Sequence, residues 1–304
     1  MEDYFMSASF TQKIMSKRSR RIILLTTIAM VAFAANSVLC RLALRDSAID
    51  PISFSVIRLV SGAFVLWIIL KLRRSTPNCT GTWRGGLSLY VYAFAFSYSY
   101  LNLDTGIGAL ILFGAVQLTM LGFGFFKGER MGPLTLLGLV FAISGLVVIL
   151  VPGTNAPPLI SAAIMITSGV AWGIYSILGK ASTDPLATTS GNFMRSVPLI
   201  MLTALPFIKS FHADVIGIAA AFASGTIASG IGYAIWYAAM RQLSSFHAAT
   251  VQLSVPVIAS LAGVLLLGEI YTARLGLSSL AVLGGITLIL LSKQSSIHKL
   301  NTED

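Results

Sequence analysis

The chain has little charge. Of its 304 residues only 11% are Asp, Glu, Lys or Arg, while 56% are hydrophobic, and the mean hydropathy is +0.84. A water-soluble domain carries about a quarter charged residues, so a soluble globular fold is excluded and most of the chain is expected to meet lipid. Cysteine is also scarce. The two residues, Cys40 in an apolar run and Cys79 in a basic loop, offer neither a disulfide framework nor Cys/His metal spacing. The three histidines, His212, His247 and His298, lie near the ends of apolar runs or in the tail. No metal site and no cofactor are expected. No Gly-x-x-x-x-Gly-Lys phosphate loop is present, which excludes ATP drive within this chain. No Asp or Glu falls in the middle of an apolar run: Asp104, Glu129 and Glu269 all stand at run ends. A cation/proton antiporter built on a buried carboxylate lacks its central group here. The formal net charge of +10 is distributed in short caps between apolar runs rather than in a patch, which argues against nucleic acid.

Long apolar runs are abundant. A helix needs about 20 apolar residues to cross the hydrocarbon core. Ten such runs can be read, at 22–44, 52–72, 85–102, 106–126, 131–151, 158–179, 186–208, 214–240, 247–267 and 272–292. Gly, Pro, Asn and charged residues concentrate in the short links, as in Asp50-Pro51 and Asp184-Pro185. Lys17-Arg18-Ser19-Arg20-Arg21 and the apolar run after it resemble a cleavable signal peptide. That reading would remove one helix from an otherwise paired set, so the first run is retained as a span. With the N-terminus inside, most of the 21 Lys and Arg residues fall on the inner side, among them Lys71, Arg73, Arg84, Lys127 and Lys180. The outer loops keep only Arg41, Arg45, Lys209 and Arg274, and the bias predicts cytoplasmic termini. Asn78-Cys79-Thr80 fits a glycosylation sequon, but in a loop assigned to the cytoplasm the match is accidental.

The chain is also written twice. Gly128-Glu129-Arg130 follows the fourth run and Gly268-Glu269-Ile270 the ninth; at the same offset Gly145 falls on Gly285 and Ile149-Leu150 on Ile289-Leu290. Earlier in each half, Phe33-Ala34-Ala35-Asn36-Ser37 aligns with Trp172-Gly173-Ile174-Tyr175-Ser176, and Arg58 with Arg195. Five runs per copy is an odd number, so the second copy enters the membrane from the opposite side. The expected fold is an all-α integral membrane protein with ten transmembrane helices in two inverted five-helix repeats. A basic segment, 1–21, precedes the first repeat at 22–151; the second repeat covers 158–292, and 293–304 is a cytoplasmic tail.

The ten spans, the two halves, the Asp50-Pro51 and Arg58 opening of the second span and the paired Gly-Glu phrases resemble the EamA-type branch of the drug/metabolite transporter superfamily, over about residues 22–292. The resemblance implies secondary transport, commonly export of amino acids or other small metabolites across the bacterial inner membrane. It also implies a central cavity lined by both halves, with spans five and ten more peripheral. Many members carry Trp-Gly in the first span where this chain has Phe33-Ala34; the second half keeps Trp172-Gly173.

Polar groups within spans mark the places to search for a site. Gln117 in span four and Gln252 in span nine offer amide donors and acceptors suited to a polar metabolite, or to an interhelical bond. Asn36 aligns with Tyr175, next to Trp172, at the matching part of the two halves. In span three the aromatics form two stripes, 90/94/98 and 92/96/100, of which one is expected to line the cavity and the other to pack. Tyr98 is carried as a binding candidate alongside a packing role. Arg58 and Arg195 are read either as attracting a substrate anion or as structural clamps. Trp236 is a gate or an interfacial belt residue, and Pro256 a hinge. The expected partners are a small-molecule substrate and the bilayer, with a proton or an exchanged metabolite as the coupled species. Monomer and homodimer both stay open. Two other readings stand beside export: an exchanger of phosphorylated or nucleotide-linked sugars, and a membrane-embedded enzyme or assembly factor.

Overall fold

The computed structural model describes residues 2–46, 48–73, 80–128, 132–153, 156–179, 182–240, 242–243 and 250–300, with backbone alone for 2–19 and 293–300. The chain is nearly all helix. In order, the helices are α1 (Glu2–Arg45), α2 (Pro51–Leu72), α3 (Trp83–Ser99), α4 (Thr105–Phe126), α5 (Pro133–Leu150), α6 (Leu159–Gly179) and α7 (Pro185–Ala204). They continue with α8 (Val215–Met240), α9 (Ser254–Leu267) and α10 (Ala273–Leu300). Among the described residues, nine helices are long and apolar enough to cross a membrane, α9 being counted with the turn before it as Thr250–Leu267. The exception is α3. Its 17 residues rise only about 26 Å at 1.5 Å each, and its tyrosines and serines dilute the apolar run. It is packed between α6 and α7 and against α2, where lipid does not set its length.

Local chemistry fixes the helix ends. Asp50 caps α2 by accepting from the Ile52 and Ser53 amides, with Pro51 in the first turn, the residue that loses nothing there. Thr82, Asp184 and Asp214 cap α3, α7 and α8 in the same way, through Gly85, Ala187 and Gly217. The glycines of the repeated phrase share one conformation. Gly128 has φ of 89° and Gly268 of 65°, the left-handed backbone that ends a helix without a Cβ penalty. Glu129 and Arg130 lie outside the described residues, as do Asn78, Cys79, Lys180 and His247.

The structure departs from the sequence reading at three places. The first apolar run belongs to a helix that begins already at Glu2. Span seven ends as α-helix at Ala204 and finishes as a 3-10 turn, Leu205–Ser210, with Pro206 in its first turn. Span eight is not a regular α-helix: Ser224–Ile231 is π-helical. The widened turn lets α8 approach α2 closely, because Gly225 has no side chain to meet Ser61 and the Arg58 backbone.

Helix packing joins the halves of the chain. α1 packs on α8 and α9, while α6 packs on α3 and α4; α2 pairs with α7, α4 with α9, and α5 with α10. The α5/α10 pair is the most extensive and sits to one side, with Gly138 and Gly285 bringing their backbones together. The outer faces are apolar: Val140, Phe141, Ile143 and Val147 on α5, and Leu277 and Leu280 on α10, are exposed. A continuous exposed apolar surface of this kind suits lipid rather than water.

Candidate functional site

Where α1, α3, α4, α6 and α8 meet, a cavity of about 20 Å³ remains, lined by residues from both halves, among them Phe33, Asn36, Tyr92, Phe113, Trp172 and Tyr233. That volume admits water and little more. The walls are mainly aromatic. Trp172 lies 4.7 Å from Tyr92, 5.1 Å from Tyr233 and 5.2 Å from Tyr175 between ring centroids. Phe33 meets the edges of Tyr233 and Trp236 at 5.7 and 5.9 Å.

A polar chain runs through this aromatic shell. The Ser224 hydroxyl donates to Asn36 Oδ1 (2.6 Å), Asn36 Nδ2 donates to the Tyr92 hydroxyl (3.3 Å), and Arg58 Nη2 donates to the same oxygen (3.1 Å). Arg58 Nε donates to Ser229 Oγ at 3.3 Å. The Arg58 guanidinium stands 5.1 Å from the Tyr92 ring centre and 5.0 Å from that of Phe96, within range of cation–π attraction. Arg58 is only 1% exposed, and no carboxylate pairs with it among the described residues. The π-helical turn of α8 supplies both serines, Ser224 and Ser229, so the irregular backbone is one of the places where the two halves exchange hydrogen bonds.

The residues singled out from sequence fall into two groups. Asn36 and Trp172 line the cavity. Tyr175 stacks on Trp172, donates to Thr189 and is buried one layer behind. Trp236 is also buried, edge-on to Phe33. Tyr98 lies on the other stripe of α3, half-buried against Phe94; Tyr92 and Phe96, on the facing stripe, reach the cavity. Gln117 and Gln252 are half-buried and do not line the cavity. Pro256 is buried in the first turn of α9, its carbonyl accepting from Ser260. The two arginines part company. Arg195 is half-buried and returns Nη1 to the Gly191 carbonyl of its own helix at 2.9 Å. In sequence Tyr92 stands only as a member of the 92/96/100 stripe, and Ser224 and Ser229 carry no signal of their own. The available signal for Tyr92 was its helical register with Leu89, Ala93 and Phe96, all buried on one face of α3.

A second polar cluster closes one end of the bundle. Arg41 Nη1 donates to the Tyr100 and Leu101 carbonyls (both 3.0 Å), and Nη2 to Asp104 Oδ1 (3.3 Å). Glu269, between α9 and α10, pairs with Arg41 Nε at 3.6 Å. It also accepts from the Thr105 amide (2.9 Å) and hydroxyl (2.8 Å), so a carboxylate from the second half caps α4, whose own Asp104 makes no side-chain cap bond. An anion suits that position, where α4 presents free N–H groups. Arg45 adds a bond to the Leu267 carbonyl at 2.7 Å.

Burial raises the Glu269 carboxyl above its ordinary value of 4.5, against the opposing pull of Thr105 and Arg41. The folded chain therefore holds this proton more tightly than the unfolded chain. Stability from this group is fully present below pH 4.5 and lost as the pH rises through the raised value. The expected result is that the melting temperature of the wild type falls relative to Glu269→Gln between pH 4.5 and neutrality. A relative rise over that interval would mean that Arg41 and Thr105 outweigh burial.

The sequence profile of the EamA-like transporter family matches this chain twice, at residues 20–151 and 159–291. The chain belongs to the EamA-like transporter family. It is 53% identical over 273 residues to an uncharacterised protein of Pseudomonas aeruginosa, covering 89% of this chain and 95% of that one. An uncharacterised transporter of Archaeoglobus fulgidus is 28% identical over 195 residues, covering 62% of this chain and 68% of its own. A solved crystal structure superimposes with a TM-score of 0.63 at 19% identity, over 88% of this chain and 98% of that one, and it shares the fold. The central cavity and the Arg41–Glu269 cluster thus belong to a multi-pass membrane protein of a transporter family.

Proposed function

We propose that the chain is a secondary transporter exporting small amphipathic metabolites, amino acids foremost, by alternating access between two inverted five-helix repeats. The observation that carries this reading is the cavity itself. It lies where α1 and α6, one from each half, cross onto the third and fourth helices of the opposite half. A rotation that exchanges the halves maps this packing onto itself, as an inverted repeat requires. Such a pair of halves has two near-equivalent ways to tilt about one site, opening it to either side. With ten spans and cytoplasmic termini in a bacterial inner membrane, the Arg41–Glu269 cluster marks the outer end. The conformation is then closed to the outside around a cavity too small for a metabolite.

The test is counterflow. Purified protein in liposomes preloaded with unlabelled amino acid should accumulate the labelled form, and Asn36→Leu should lower the rate at least tenfold. That substitution removes the acceptor for Ser224 and a donor to Tyr92 while keeping side-chain bulk. Absence of counterflow with every standard amino acid, by folded protein, would sink the amino-acid reading. The sugar-phosphate alternative draws less support, because Arg195 bonds its own helix and does not join Arg58 on the Tyr92 wall of the cavity.

A further inference from the structure

Among the described residues, the cation behind the Tyr92 wall of the cavity has no counter-ion. Arg58 is buried, and its charge is met only by a tyrosine hydroxyl, a serine hydroxyl and two ring faces. Among the described residues its Nη1 has no hydrogen-bond partner. Neutral partners of this kind offset part of the desolvation of a guanidinium and leave its charge uncompensated. A buried charge in a membrane interior is kept where something binds it. Tyr92 points to the same conclusion. Its oxygen already accepts from Asn36 and from Arg58, so both lone pairs are used and its own O–H is the donor that remains. One neutral donor, Tyr92 at the wall of the cavity, and one charged donor, Arg58 bonded directly behind it, are therefore unspent, and both call for an anionic oxygen.

We propose that Arg58 and Tyr92 form the anion-binding end of the cavity, and that the substrate carries one carboxylate on an apolar or aromatic body. This rests on the transport reading and narrows its substrate class. The body of the substrate fits the ring walls formed by Phe33, Trp172 and Tyr233. A single negative charge is favoured over a phosphate dianion because the matching arginine of the second half, Arg195, is spent on the Gly191 carbonyl. An amine without a carboxylate meets an unopposed positive charge and is rejected. Binding takes place in a wider conformation than this one, since the present cavity has room for little more than a water molecule.

The experiment is equilibrium binding to the purified full-length protein in detergent, read by quenching of tryptophan fluorescence, with Trp172 in the cavity wall. The probes are phenylacetate, phenethylamine and phenyl phosphate. Phenylacetate should saturate, phenethylamine should not, and phenyl phosphate should bind at least tenfold more weakly than phenylacetate. Arg58→Gln should weaken phenylacetate at least tenfold, Arg58→Lys should recover part of that loss, and Arg195→Gln should leave it unchanged. Should Arg58→Gln fail to fold, Tyr92→Phe keeps the ring, removes the O–H and should weaken phenylacetate several-fold. Equal binding of phenylacetate and phenethylamine, no saturable binding of phenylacetate, or wild-type affinity in folded Arg58→Gln each overturns the proposal. Amino-acid counterflow that persists in Arg58→Gln strikes the anion site alone. Phenylacetate binding without counterflow of any amino acid strikes the transport reading instead.

Discussion

Gly225→Leu is expected to yield no folded protein, and Gly225→Ala a chain destabilised by about 1–3 kcal/mol, the usual result of overpacking a tight contact. A Cβ at this position meets the Ser61 hydroxyl and the Arg58 carbonyl oxygen, and stands 2.9 Å from the Arg58 Cα. Two of those atoms are backbone within a helix and cannot turn aside as a side-chain tip would. The π-helical turn over Ser224–Ile231 depends on this approach, because it is what lets Ser229 reach Arg58. Displacing α2 from α8 would separate that pair and move the guanidinium off the Tyr92 and Phe96 rings. Thermal melting in detergent, followed by size-exclusion recovery, measures the effect. A Gly225→Ala protein that melts within a degree of the wild type would show that α2 and α8 are not held this close.

Arg41→Ala is expected to be the most damaging change at the Arg41–Glu269 end of the bundle, at about 3–5 kcal/mol, the range for removing one partner of a buried ion pair. The Glu269 side chain is 8% exposed and that of Arg41 11%. Without Arg41, the Glu269 carboxylate would face Asp104 with no cation in contact, and the Tyr100 and Leu101 carbonyls would lose their donor. Glu269→Gln should be milder, because its amide oxygen still accepts from Thr105. The double variant should recover part of what Arg41→Ala loses, since the stranded charge is gone. A double-mutant cycle on melting temperature checks this, and simple additivity would show that the pair is not coupled. Because the cluster ties α1 and α4 to the α9–α10 connection, Arg41→Ala should also expose that end to thiol reagents at an introduced cysteine.

Much of the fold was legible because a bilayer imposes local rules. Asp50-Pro51 announced the start of α2, and Gly128 and Gly268 announced the ends of α4 and α9, since a cap or a left-handed turn needs only its immediate neighbours. The candidate site was legible in part. Asn36 and Trp172 stood out as a polar and an aromatic break at matched places in the two halves, and both reach the cavity. Tyr92 and Tyr98 did not separate on sequence, because both stripes of α3 are aromatic and only the packing of α6 and α7 decides which faces inward.

The arginines mark the boundary most clearly. In sequence Arg58 and Arg195 are equivalent, each a short way into the second span of its half. In the fold Arg58 is buried beside the cavity with an unsatisfied N–H, while Arg195 bonds its own helix. Sequence alone determined that this is a membrane protein, where its apolar runs begin and end, and that its two halves are related. Those properties follow from hydrophobicity over about 20 residues at a time and from short capping phrases. Tertiary structure alone decided which polar groups share the cavity and which of the two arginines, Arg58 or Arg195, is buried behind its wall. Those contacts join residues far apart in the chain, such as Arg58 and Ser229 or Thr105 and Glu269, through helix faces that no local pattern specifies.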